Sequence, residues 1–122
     1  MSNKQRLPGV SARRVIVRAW SARATGRGAR AYFAHARRRV LPALRRIRGH
    51  RGSLMLRRRR GGDVEIVVLT FWDSLAAIRA FAGPDLTRAV VEPEARAVLR
   101  RCDTRARHFE VVLEGRARPG SR

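Results

Sequence analysis

A chain of 122 residues, 44% of them hydrophobic, suits one domain and is too apolar to stay disordered. No apolar run approaches the roughly 18 residues of a membrane span, and the charged start MSNKQRLPGVSARR lacks the apolar stretch of a secretory signal, so the cytoplasm is the expected location. The single cysteine, Cys102, excludes an intrachain disulfide and a cysteine metal cluster. The net charge of +20 is uneven: residues 1–62 hold 19 basic and no acidic residues, and residues 63–122 hold 10 basic against 9 acidic. Apart from Lys4 every basic residue is arginine. That pattern fits a polyanion-binding surface, nucleic acid included, or the Arg and Ala enrichment of a GC-rich genome. The Lys, exposed aromatics and Gly-rich loops that accompany most nucleic-acid binders are missing, which favours the second reading.

Residues 1–13 are polar, contain Pro8-Gly9, and read as a flexible basic arm ahead of a domain over 14–114. Arg14 to Ala22, RVIVRAWSA, is rich in β-formers and predicts a first strand. Val15, Val17 and Ala19 point one way; Ile16, Arg18 and Trp20 point the other. Thr25-Gly26-Arg27-Gly28 reads as a turn. From Ala29 to Ile47, Phe33, Ala36, Val40, Leu44 and Ile47 recur at three- and four-residue steps and predict a long helix with one apolar face. Pro42 predicts a kink or a break in it. Arg48-Gly49-His50-Arg51-Gly52 supplies a glycine to end it.

Ser53 to Arg58 predicts a second strand, and Arg59 to Asp63, with Gly61-Gly62, a hairpin connection. Val64 to Trp72 is a near-continuous apolar run, as in a central strand buried on both faces. Asp73 is the expected N-cap of a short helix, Ser74 to Ala82, with Leu75, Ile78 and Phe81 or Ala82 facing inward and Gly83 as its stop. Pro84 is expected to open another helical piece and Pro93 a further one, to about Arg101. Arg105 to Leu113 predicts the last strand, with Phe109 on one face and His108 on the other. Residues 115–122, rich in Arg, Pro and Gly, read as a disordered tail.

The order β, long α, β, β, broken α, β predicts an α+β, ferredoxin-like split βαβ fold: a four-stranded antiparallel sheet with helices on one face. The other sheet face would be bare, yet it carries apolar residues, so a homodimer packed sheet to sheet is expected.

The segments VIVRAW, YFAHARRRVLPALRRIRGHRG, SLMLRR, VEIVVLTFWDSLAAIRAFAG and RHFEVV span most of residues 14–113. In their order, and in the strand–Trp–Asp/Ser–helix junction, the chain resembles the antibiotic biosynthesis monooxygenase family of dimeric α/β barrels. The resemblance implies a homodimer and a ligand cavity between sheet and helices, lined by Trp72. Some relatives oxidise aromatic polyketides with dioxygen and neither metal nor flavin, some degrade haem, and many have no known activity. It therefore implies cofactor-independent oxidation of a small aromatic or anionic organic substrate. Three positions depart from the family's pattern. Thr70 replaces a common Glu, Val68 an Asn of the aromatic-oxidising members, and Phe81 a common His. The implied cavity is more apolar for it.

His35, His50 and His108 have no short metal-ligand spacing, so no metal site is expected. His35 lies at the flank of the helical stripe, either facing a ligand or solvated. His50, between turn glycines, is expected to be exposed. His108 is the candidate general base if it faces the cavity, and a structural histidine of the sheet or dimer face if it does not. Trp72 and Phe81 are either ligand wall or core. Arg18 either meets an anionic substrate or pairs with Glu110. No phosphate loop, nucleophile elbow or dinucleotide fingerprint occurs. The readings that stand are a cofactor-independent oxygenase and a non-catalytic barrel that binds a small ligand or a polyanion.

Overall fold

Strand β1 (Ile16–Ala24) is the axis of the sheet, because both of its edges are paired. The structure, a computed structural model, describes residues 14–120. The arm expected over residues 1–13 lies outside the described residues, as do residues 121–122. β3 (Asp63–Trp72) runs antiparallel along one edge of β1, and β2 (His50–Arg60) continues the sheet beyond β3. Along the other edge lie two short strands, β4 (Arg101–Cys102) and β5 (Arg107–Glu110). The order β2-β3-β1-β4/β5 is the antiparallel split βαβ arrangement, an α+β fold, with β3 central as its apolar run predicts. The β2–β3 turn is Gly61-Gly62, and Gly61 takes φ +61°, the positive angle required at the first central position of a type II′ turn.

The expected last strand, Arg105 to Leu113, forms only over Arg107–Glu110, and β4 is an additional short strand at the expected end of the helical piece from Pro93. Residues 104–106 leave the edge of β1 and pair instead with the chain after Gly83: Ala89 N–H donates to Thr104 O (3.0 Å) and Ala106 N–H to Thr87 O (2.6 Å). This partnership explains a second difference. The helical piece expected from Pro84 does not form; residues 84–92 are a strap that begins in a turn, closed by Arg88 N–H to Asp85 O (3.0 Å), and runs on without regular structure. Thr87, Val90 and Val91 are β-branched, and Pro93 disfavours helical geometry at Glu92, so hydrogen bonds to residues 104–106 win.

The expected turn at 25–28 is the first turn of α1 (Gly26–His35), because Thr25 Oγ1 accepts from Gly28 N–H at 2.9 Å. A widened π-type segment follows, Ala36–Val40, in which Leu41 N–H reaches back to Ala36 O, and then α2 (Leu41–Arg45). Pro42 has no N–H to offer and its ring crowds the carbonyl four residues back. The wide turn just before it accommodates both, so the helix is split, as Pro42 predicts. Ala36 and Leu44 of the predicted stripe are buried, but at its N-terminal end Tyr32, not Phe33, is the buried aromatic.

α3 (Leu75–Ala82) is capped by Ser74, whose Oγ accepts from Ala77 N–H at 3.1 Å. Asp73, the expected cap, is held by Arg51 at 2.9 Å instead. Ile78 packs inward as predicted, whereas Leu75 is exposed. Gly49 takes φ +92°, and a Cβ on it would stand 2.5 Å from that of Ala77, so only glycine lets β2 start this close under α3. α4 (Pro93–Ala97) is a single turn, shorter than expected.

All helices cover the face of the sheet that carries Ile16, Arg18, Trp20, Val68, Thr70 and Trp72. Two core clusters form there, one around Ala24, Tyr32 and Ile66, the other around Leu44, Trp72 and Ile78. The opposite face carries its own apolar cluster of Val15, Val17, Leu54, Leu69, Phe71 and Val111. Among the described residues no helix covers it; Val15 and Phe71 are buried within it, whereas Phe109 at its border is 53% exposed. Among the described residues no helix is long and apolar enough to cross a membrane.

Candidate ligand cavity

A cavity of about 170 Å³ lies between the covered sheet face, the α1–α2 helix pair and the strap. Arg18 and Trp20 of β1 and Val68 and Thr70 of β3 form its sheet side. Tyr32, His35, Val40 and Leu44 form its helix side, and Phe81, Val91 and Glu92 close its border. Most of this lining is apolar. The polar groups are therefore few, and three of them are themselves buried: Arg18 at 5% exposure, Thr70 at 6% and His35 at 7%.

Arg18 sits at the middle of β1, between Thr70 on β3 and His108 on β5. Its Nη1 donates to Leu86 O (2.5 Å) and stands 2.9 Å from His108 Nε2; its Nη2 donates to Arg88 O (2.7 Å). The strap thus supplies two carbonyls that hold the guanidinium, which also lies over the Phe81 ring at 5.6 Å. The Glu110 pairing considered from sequence does not occur: Glu110 bonds Arg14. Burial lowers the Arg18 pKa from its ordinary value.

His108 stands behind Arg18 and does not border the cavity. A guanidinium can only donate, so His108 Nε2 is the acceptor and the imidazole proton sits on Nδ1. Burial, and then the charge of Arg18, hold its pKa below the usual histidine value.

His35 is the histidine that faces the cavity. Its flank position on α1 is covered by the strap, and its Nε2 lies 2.8 Å from Glu92 Oε1. A carboxylate at one ring nitrogen fixes the tautomer with the proton there and leaves Nδ1 as the lone pair. Tyr32, whose pKa burial pushes up to about 12, keeps its proton at neutral pH.

Trp72 is fully buried and does not border the cavity. Its Nε1–H donates to Thr70 Oγ1 at 2.8 Å and its ring lies 5.6 Å from that of Phe81. It acts on the site through these two neighbours, which do line it. His50, expected to be exposed, is half-buried, with its ring edge-on to Trp72 at 5.1 Å. The structure therefore brings together Arg18, His35 and Phe81 and sets His108 and Trp72 one layer behind. Glu92 and Tyr32 were not singled out from sequence. Glu92 stands beside Pro93 at the start of α4, and 57 residues separate it from His35. Among the described residues no group of three or more His, Cys, Asp or Glu is placed to hold a metal ion.

No family model matches the chain, and no curated protein matches it. Solved structures do. The crystal structure of SnoaB, a cofactor-independent oxygenase from Streptomyces nogalater, is 19% identical, covering 85% of this chain and 96% of that one, with a TM-score of 0.49. A Bacillus cereus protein, suspected to be an antibiotic biosynthesis monooxygenase, is 16% identical over 85% of this chain and 97% of its own, with a TM-score of 0.51. At this identity the second likeness establishes the fold.

Proposed function

We propose that this chain is a cytoplasmic homodimer that binds a small organic molecule in the cavity and oxidises it with dioxygen, needing neither metal nor flavin. The family resemblance of the sequence motivates the reaction class. The observation that carries it is the pairing of buried His35 with half-exposed Glu92, a base with its orienting carboxylate, on the wall of a mostly apolar cavity. His35 Nδ1 takes a proton from an acidic C–H or phenol of the substrate, and Glu92 steadies the imidazolium that results. The carbanion then gives its electrons to dioxygen. For a CH₂ group the balance is one dioxygen consumed, a carbonyl left on the carbon and one water released. The apolar walls keep bulk water from reprotonating the carbanion.

In this reading the proton acceptor is His35, because the Nε2 lone pair of His108 is already occupied by Arg18. His108 positions Arg18 instead. Trp72 shapes the wall by fixing Thr70 and Phe81. The homodimer is supported by the apolar sheet face that no helix covers.

Oxygen uptake with one- and two-ring phenols and ketones bearing an acidic C–H tests the assignment. His35→Ala is expected to lower turnover by roughly 10²- to 10⁴-fold, the usual worth of a general base, while His108→Gln retains most of it. Full activity in His35→Ala would overturn the role of this pair. Ligand bound without any oxygen uptake across the panel would assign the cavity to carrying rather than oxidation.

A further inference from the structure

An arginine has five N–H donors. Three of those on Arg18 are engaged: both on Nη1, by Leu86 O and His108 Nε2, and one on Nη2, by Arg88 O. Among the described residues the Nε–H and the second Nη2–H have no partner. In a planar guanidinium the Nε–H runs parallel to one Nη2–H, and with Arg88 O on the other this edge is the fork that a carboxylate meets with two parallel hydrogen bonds. All three partners of Arg18 are neutral, two carbonyls and an imidazole. Among the described residues no carboxylate lies within ion-pair distance of it. A cation 5% exposed with only neutral partners bears a desolvation cost that an anion on its open edge would offset.

The surroundings say what else the ligand carries. Val68, Leu44, Val40 and Phe81 offer apolar contact around that edge of the cavity. A dry engineered cavity of roughly 150 Å³ takes benzene, so about 170 Å³, open at its mouth, suits one or two fused rings. Glu92 is the acidic group of the lining and is tied to His35, which directs the ligand's charge away from it; of the two arginines of the lining, Arg39 is exposed and solvated, so the buried Arg18 gains more from an anion.

We infer that the Nε–Nη2 edge of Arg18 is an anion receptor, and that the cavity selects a one- or two-ring aromatic ligand bearing a single carboxylate or phenolate. This rests on the cavity being the ligand site, as proposed above, and not on its oxidation.

The test compares 2-naphthoate with 2-naphthamide, nearly the same shape with and without the charge, by calorimetry on the full chain at 0.15 M and 1 M salt. The His108 imidazole is followed by NMR titration in parallel. Naphthoate is expected to bind at least about tenfold tighter, in line with charge-assisted hydrogen bonds. The preference is expected to persist at 1 M salt, because a buried pair is screened far less than surface arginines. His108 should titrate at higher pH with naphthoate bound than with naphthamide, since the neighbouring positive charge is then neutralised. Arg18→Met should erase the preference and keep naphthamide affinity; should that variant not fold, the wild-type pair and the His108 titration decide alone. Equal affinity for the two, a preference abolished by 1 M salt, or an unmoved His108 overturns the inference. Naphthamide binding without preference leaves the cavity reading standing; binding of neither compound removes both.

Discussion

On the helix-covered face of the sheet, β1 and β3 place Arg18 and Thr70 where apolar side chains would pack. On the other face the same two strands place Val17 and Leu69, both only partly buried, where polar side chains would meet water. Both strands keep the two-residue alternation of a regular sheet, so the local pattern does not separate the faces. Their mismatches do. A polar group under helices is costly unless something satisfies it, and here two strap carbonyls and a histidine satisfy part of the Arg18 guanidinium and leave one edge open. Apolar surface facing water is costly unless something covers it. The proposed ligand would answer the first mismatch and the proposed homodimer the second.

Charging the bare face should have the largest effect. Leu69 pairs with Ala19 on one side and Leu54 on the other, near the middle of the apolar cluster. The wild type is expected to sediment as a dimer at micromolar concentration. Leu69→Arg, which would bury an unpaired charge in the interface, is expected to weaken it by at least about 100-fold and to sediment near 13.8 kDa. His35→Ala, on the other face, should leave the dimer unchanged. A wild type that is monomeric at micromolar concentration would break the comparison at its second half.

The same contrast explains what was legible in the chain itself. The strand–Trp–helix junction was readable because each of its signals is local: the apolar run of β3, the small polar cap residues, the glycine at φ +88° that stops α3. The apolar bare face was readable from alternation alone. The strap was not, because its hydrogen-bond partners lie at residues 104 and 106 and nothing near Pro84 announces them. What the strap does at the site is equally illegible. It carries Glu92 to His35 and presents the two carbonyls that hold Arg18, and neither role leaves a trace in composition or spacing. His108 was chosen for its residue type and its strand, yet only the register with Arg18 reveals that its Nε2 is spoken for.

A smaller effect sharpens the covered half of the comparison. Trp72 Nε1–H has Thr70 Oγ1 as its acceptor, both groups being buried. Thr70→Val removes the acceptor and nearly preserves shape, so denaturant unfolding should show a loss of about 1–3 kcal/mol from the stranded N–H. Trp72→Phe should cost less in the Thr70→Val background than in the wild type, because no donor is then left unpaired, and the cycle should close with a coupling near 1 kcal/mol. Additive costs would mean that the indole reaches another acceptor in the variant, and that Thr70 is on this wall for a ligand alone.

The smallest effect is the pH dependence of stability. Burial and the Arg18 charge hold the His108 pKa below its ordinary value in the fold. As pH falls through about 6.5, the unfolded chain therefore takes up a proton that the native imidazole still refuses. Stability is full above that pH and declines below it, levelling once the native ring protonates as well. His50, also lowered by burial, contributes with the same sign. Midpoints of urea unfolding between pH 7.5 and 4.5 should thus fall less steeply in His108→Gln than in the wild type, with the remaining slope shared by His50. Saturating 2-naphthoate should flatten the wild-type slope in the same way, since an anion on Arg18 removes one of the two causes that keep His108 neutral. An unchanged slope in His108→Gln would mean that water reaches the His108 ring and screens it from Arg18. The covered face would then be as wet as the bare one at that corner, and the distinction between them would hold only around His35.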